Sequence, residues 1–219
     1  MIRRKTGEPR ASFRSSACLA LDRRAEYPSS SGRTAPVFDP ALGVQTKVVA
    51  LAGKAEVEAA VASAKAAFPA WSGLSLARRQ TVLFRFRELL DARKKELAEI
   101  ITSEHGKVLA DALGEISRGQ EVAEFATGLA HHLKGEYSEQ VSTGVDVYST
   151  RQPLGVVGVI SPFNFPAMVP AWFFPVAIAA GNTVVLKPSE KDPVGRDVAG
   201  EAMEGGGAAG RRFHRAQRR

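Results

Sequence analysis

Apolar residues recur every three or four positions between Lys54 and Leu133, and that spacing predicts a run of amphipathic helices. The first covers Lys54 to Phe68: Val57, Val61, Ala64 and Phe68 share one face, Lys and Glu take the other, and Pro69 ends it. A longer helix is predicted from Ser75, whose hydroxyl suits an N-cap, through Leu83, Phe86, Leu90, Leu97 and Ile101 to a stop at Gly106. The third runs from Ala110 to Leu133 and buries Ile116, Val122, Phe125, Leu129 and Leu133, with Gly135 to close it. Upstream, the Ser-, Gly- and Pro-rich stretch from Ser29 to Asp39 marks the entry to ordered chain, with structure beginning near Val37.

The period changes after Gly135. In YSEQVSTGVDVYS a Ser-Thr-Gly turn separates two β-prone stretches and predicts a hairpin with an exposed edge. Gly155 to Ile160 is a β-branched run polar on neither side, the pattern of a parallel strand covered by helices on both faces. Residues 166 to 180 read as a crossover helix with Pro166 in its first turn, and Gly181-Asn182 stops it before a second strand, Thr183 to Lys187. The predicted class is α/β, with consecutive helices leading into a β-α-β unit whose strands are parallel.

Parallel strands joined in this way put their carboxyl ends side by side. Ser161-Pro162-Phe163-Asn164 and Lys187-Pro188-Ser189-Glu190 should therefore face one crevice, the place where open α/β sheets bind ligands. A lysine ammonium and a carboxylate three residues apart suit the vicinal hydroxyls of a ribose, and the Phe163 loop suits the adenosine or pyrophosphate beside it. The residues alone leave open a solvated surface pair after a strand.

Composition narrows the class. An apolar fraction of 44% in 219 residues is enough for a core. The net charge of +7 lies at the ends: residues 1–30 hold seven basic and three acidic residues, residues 194–219 hold six and three, and the interior balances at 17 of each. A nucleic-acid binder is thereby disfavoured, because the charged ends lack aromatic interleaving or a recognisable fold. The one cysteine, Cys18, excludes a disulfide framework or a cysteine zinc site within this sequence, and no stretch reaches the ~20 apolar residues of a membrane span. A reducing, cytoplasmic location is expected, or the mitochondrial matrix in a eukaryote, since the Arg- and Ser-rich first 24 residues faintly resemble a transit peptide. Residues 1–31 are expected to be a disordered or mistranslated head. Gly, Ala and Arg supply 17 of residues 194–219, so these are expected to be a disordered tail, read out of register from GC-rich codons.

The segments QPLGVVGVISPFNFP and GNTVVLKPSEKDP together resemble the first half of the cofactor domain of NAD-dependent aldehyde dehydrogenases. With SEHGKVLADALGEISRGQEVAEFA and LKGEYSEQVSTGVDVYSTRQPLG, the wording is most similar to the CoA-acylating methylmalonate-semialdehyde dehydrogenases. The resemblance extends from Gly32 to Pro193. It implies a truncated form of that fold, with N-terminal helices, the start of a Rossmann-like parallel sheet, and 134–152 as part of the oligomerisation hairpin of a homo-oligomer. It also implies that Asn164 is the oxyanion-hole amide and that Ser161 and Phe163 line the cofactor. Lys187 and Glu190 then bind the adenosine ribose with Lys191 close by, and Arg118 recognises the substrate carboxylate or is a solvated helix arginine. In the family a cysteine attacks the aldehyde, hydride passes to NAD, and CoA accepts the acyl group.

Cys18 precedes the whole fold and cannot stand in for that nucleophile. Gly155 and Gly158 do not make a dinucleotide fingerprint, and His105, His131, His132 and His214 give no defensible nucleophile-base pair. The chain as given is therefore expected to be inactive, to bind NAD weakly or not at all, and to be poorly stable. An alternative from another class is a non-catalytic interaction protein that binds a full-length aldehyde dehydrogenase.

Overall fold

A computed structural model describes residues 31–193. The head and tail expected from the sequence lie outside these described residues, apart from Ser31. The chain enters through an antiparallel hairpin, β1 (Thr34–Asp39) and β2 (Val44–Ala50), which the sequence reading did not predict. The Asp39 carboxylate turns it by accepting from the amides of Ala41 and Leu42, and Gly43 takes the left-handed φ of 67° that the turn requires. Lys47 of β2 reaches Glu104 at 2.5 Å, tying the hairpin to the helices.

Four helices follow: α1 (Lys54–Ser72), α2 (Leu76–Ala92), α3 (Lys94–His105) and α4 (Leu109–Thr127), with a short 3-10 turn at Leu129–His131. Helix α1 continues through Pro69, against the expectation of a stop there. A proline late in a helix removes one hydrogen bond, and burial of Trp71 together with the bond from its Nε1 to the carbonyl of Ile178 (3.0 Å) stabilises the extra turn. Val57 and Val61 are exposed on this helix, contrary to the reading, whereas Ala64 is buried.

The predicted helix from Ser75 to Gly106 is two helices broken at Arg93, although both predicted ends hold. Ser75 Oγ accepts from the Arg78 amide, and Gly106 stops α3 in the left-handed region at φ 83°. The third predicted helix ends at Thr127, and Phe125 is 52% exposed where the periodicity would bury it. Phe86, Leu90, Leu97, Ile101 and Ile116 fill the space between the helices, and the rings of Phe86 and Phe174 meet at 5.3 Å.

The remaining elements match the reading in type and order, except that the crossover helix begins at Met168, so Pro166 precedes it instead of lying in its first turn. Strands β3 (Tyr137–Ser142) and β4 (Val145–Tyr148) form an antiparallel hairpin exposed along its whole length. Strands β5 (Val156–Ile160) and β6 (Thr183–Lys187) pair in parallel across helix α5 (Met168–Ala179), with Ile160 opposite Lys187. Helices α1 and α5 both pack on this sheet. Coverage is incomplete among the described residues: Val159 and Val184 are buried, but Ile160 is 81% exposed.

Asn182 fixes the geometry of the crossover. Its Oδ1 accepts from the amides of Leu154 (2.7 Å) and Gly155 (3.0 Å), and its Nδ2 donates to the carbonyl of Ala177. One buried side chain thus joins the end of α5 to the start of β5.

Candidate functional site

The turns after β5 and β6 occupy one sheet edge, as the strand order requires. The amide of Ser161 donates to the carbonyl of Lys187 at 3.1 Å, continuing the ladder one step past β5. From that shared rim, Lys187 Nζ reaches Glu190 Oε2 at 2.9 Å, with both side chains about half exposed at 57% and 44%. The hydrogen bond from Lys187 is the main reason that the Glu190 carboxyl lies below its ordinary pKa. The pair therefore leaves a carboxylate acceptor and an ammonium donor part-exposed at the carboxyl end of β6.

Phe163 and Lys191 belong to opposite turns and meet, the ammonium lying 4.6 Å from the ring centroid. Ser161 is buried, and its Oγ has no hydrogen-bond partner among the described residues.

Asn164 is exposed in the same turn, and its side-chain amide makes no hydrogen bond within the described residues, so both of its N–H groups are available. Its backbone is held firmly. The Asn164 carbonyl accepts from Lys107 Nζ at 2.7 Å, and the same ammonium contacts Glu115 Oε2 at 2.5 Å and lies 4.0 Å from the Phe165 ring centroid. Glu115 Oε1 accepts from the amides of Ala167 (2.8 Å) and Met168 (3.1 Å), where α5 begins. The sequence reading missed Lys107 and Glu115. A signal was present, because Glu115 stands beside the buried stripe Ala112, Ile116 and Gly119 of α4, where a carboxylate needs a partner.

Arg118 lies on α4 one turn from Glu115. It is exposed, and no hydrogen bond or ion pair within the described residues brings it to either crevice turn. His132 lies against Phe125, with ring centroids 5.4 Å apart. His105 is half-buried with an unpartnered Nδ1, and Cys18 and His214 lie outside the described residues.

The aldehyde dehydrogenase family model matches residues 27–208. The chain belongs to that family. The match passes Pro193, so family similarity does not stop where the sequence reading placed its end. Within the family the chain is similar to the malonate-semialdehyde dehydrogenase of Pseudomonas aeruginosa, 48% identical over 168 residues that cover 77% of this chain and 34% of the relative. The acylating methylmalonate-semialdehyde dehydrogenase of Arabidopsis thaliana, a mitochondrial protein, is 49% identical over 179 residues, 81% of this chain and 30% of the relative.

A solved structure from Sinorhizobium meliloti, described as a methylmalonate-semialdehyde dehydrogenase complexed with NAD, superposes with a TM-score of 0.80 at 47% identity, covering 81% of this chain and 36% of that one. The chain thus spans about a third of the length of the aldehyde dehydrogenases it matches, and its fold is a truncated form of theirs. Among the described residues no helix is long and apolar enough to cross a membrane.

Proposed function

We propose that this chain is the N-terminal third of a CoA-acylating (methyl)malonate-semialdehyde dehydrogenase, contributing one wall of the NAD site and the amide that meets the reacting aldehyde oxygen. The observation that carries the proposal is the meeting of the two turns at one sheet edge: the Ser161 amide donates to the Lys187 carbonyl, Lys191 lies over the Phe163 ring, and Lys187 pairs with Glu190. Lys187 and Glu190 offer a donor and an acceptor at the spacing of a ribose diol, and Ser161 supplies a buried hydroxyl without a partner. NAD, when bound, takes up the hydride released by aldehyde oxidation, and CoA accepts the acyl group.

In this assignment Asn164 donates an N–H to the oxygen on which negative charge develops, a contribution of about 3 kcal/mol to the barrier in comparable sites. Lys187 and Glu190 orient the cofactor ribose, and the apolar face of Phe163 with Lys191 shields it from water. Arg118 is the group proposed to select a substrate carrying a carboxylate. The single cysteine, Cys18, precedes the site in sequence, so the given chain alone is proposed to be inactive and to hold NAD weakly.

The test is a chimera in which residues 31–193 replace the corresponding segment of the Pseudomonas aeruginosa relative. Turnover of malonate semialdehyde dependent on NAD and CoA is expected, and its loss on Asn164→Ala. A folded, NAD-binding chimera without turnover would sink the assignment.

The β3–β4 hairpin, exposed along its whole length, supports a second reading: a non-catalytic subunit that adds this edge to a full-length aldehyde dehydrogenase. Co-purification of the unmodified chain with such an enzyme, without any change in the enzyme's turnover, favours that reading over the first.

A further inference from the structure

We infer that Lys107 and Glu115 form a positioning pair that sets the backbone of the Asn164 turn from a separate element. The inference rests on the proposed role of Asn164 for its catalytic meaning, but its geometry is independent of that role. Glu115 is a buried carboxylate on α4 whose two oxygens are divided between tasks. Oε1 accepts from the Ala167 and Met168 amides, which the first turn of α5 leaves without helical partners, and Oε2 contacts the Lys107 ammonium. Lys107 passes the constraint on: its Nζ donates to the Asn164 carbonyl at 2.7 Å and sits over the Phe165 ring.

The turn from Asn164 to Met168 is therefore gripped at both ends by one ion pair. Lys107 comes from the loop after α3, so the grip is independent of the β5–β6 ladder that presents the turn. Gly119, one helical turn from Glu115, lets α4 approach close enough for this reach: a Cβ there would stand 3.0 Å from Ala171 Cβ and 3.5 Å from Met168 Cα. A carboxylate so deeply buried is retained at a desolvation cost, which its three donors offset by fixing one backbone geometry.

The contact fixes the Asn164 backbone, and with it the point from which the side-chain amide extends, when the ligand is absent; a fixed starting point limits the reorganisation needed to meet a developing oxyanion. Lys107 and Glu115 touch neither aldehyde nor cofactor in this arrangement. They act through Asn164.

The test uses the chain itself, labelled with nitrogen-15, with residue-resolved hydrogen exchange and amide resonances as readouts. In Lys107→Met the Ala167 and Met168 amides should exchange about tenfold faster, the loss expected when a charge-assisted hydrogen-bond system is broken. The Phe165 amide, which shares a peptide group with the Asn164 carbonyl, should shift, whereas Gly181 and Thr183 at the far end of the same β-α-β unit keep their exchange rates. Lys107→Arg, which retains a cationic donor, should recover part of the Phe165 shift. In a Glu115→Gln background Lys107→Met should add little to the exchange of Ala167 and Met168, because the two residues act as one unit.

Equal acceleration at all of these amides would reduce the pair to a general packing element and overturn the inference. So would unchanged exchange at Ala167 and Met168. If the pair behaves as expected while Asn164→Ala leaves the chimera's turnover intact, the positioning stands and the catalytic role of Asn164 falls.

Discussion

The Lys191 ammonium lies 4.6 Å from the centroid of the Phe163 ring, so the turn after β6 touches the turn after β5 across the crevice rim. Both side chains are exposed, and the contact contributes little to folding, about 0.5–1 kcal/mol for a cation–π pair in water. Its consequence is shape. The two turns reach any ligand as one surface, and the Lys187–Glu190 pair lies on the same rim.

Lys187→Ala and Glu190→Gln should consequently separate binding from stability. Each should weaken NAD binding by the chimera at least about tenfold, the loss of a charged hydrogen bond to ligand. The denaturation midpoint should hardly move, because exposed ion pairs contribute at most about 1 kcal/mol. Calorimetric titration beside urea unfolding checks both halves, and equal affinity in wild type and variants would remove these residues from the cofactor site.

Asn182→Ala should act in the opposite sense, on folding before function. The substitution leaves the Leu154 and Gly155 amides without their acceptor, whereas the Ala177 carbonyl keeps the backbone amide of residue 182. A loss of about 1–3 kcal/mol in total, since these amides are only part-buried, should appear as a lower urea midpoint. Gln80→Ala, which removes a single part-buried bond to the Thr127 carbonyl, is the control and should cost less.

Much of this architecture is legible in the sequence because its signals are local. Ser75 and Gly106 mark helix ends through backbone chemistry that any context preserves, and the β-branched run after Gly155 is a strand in either setting. Tertiary contacts decide the misses. Helix α1 outlasts Pro69 because Trp71 finds the Ile178 carbonyl, which no window around residue 69 contains. The first hairpin escapes notice because Val44 and Val48 are exposed, so the strands show no clean burial alternation.

The candidate site divides along the same line. Ser161, Phe163, Asn164, Lys187, Glu190 and Lys191 sit in two short turns whose meeting follows from strand order. The Glu115 contacts with α5 instead join positions more than 50 residues apart, with sequence separations of 52 and 53 to Ala167 and Met168. Only the position of Glu115 beside an apolar stripe hints at them.

Gly119 gives a test of how closely α4 and α5 must approach. Gly119→Leu forces a side chain into the space now occupied by Ala171 and Met168, and overpacking of this kind costs about 1–3 kcal/mol. Gly119→Ala needs a shift of only a few tenths of an ångström, and the helix propensity of alanine offsets that strain. The leucine variant should show a clearly lower unfolding midpoint, with altered Ala167 and Met168 resonances, whereas the alanine variant remains near wild type. Equal midpoints for all three proteins would show that the interhelical spacing is not tight at this position.

His105 should make stability depend on pH. Burial, assisted by the nearby Lys107 charge and opposed by Glu115, pushes its pKa below the ordinary 6.5, and its Nδ1 has no partner in the folded chain. A histidine with a depressed folded pKa is neutral in both states above the unfolded value, so its contribution is fully present there. As pH falls below about 6.5 the unfolded chain takes up the proton first, and stability is lost until the folded-state pKa is also passed. The carboxyls held low by their partners, Glu124 by Arg87 and Glu190 by Lys187, lose their contributions only below the ordinary glutamate range of about 4.3, so the two effects occupy separate windows. Urea midpoints measured between pH 7.5 and about pH 5 should therefore fall in the wild type and stay flatter in His105→Asn, which cannot take up a proton at this position. Parallel curves for the two proteins would assign the pH dependence in that window to groups other than His105.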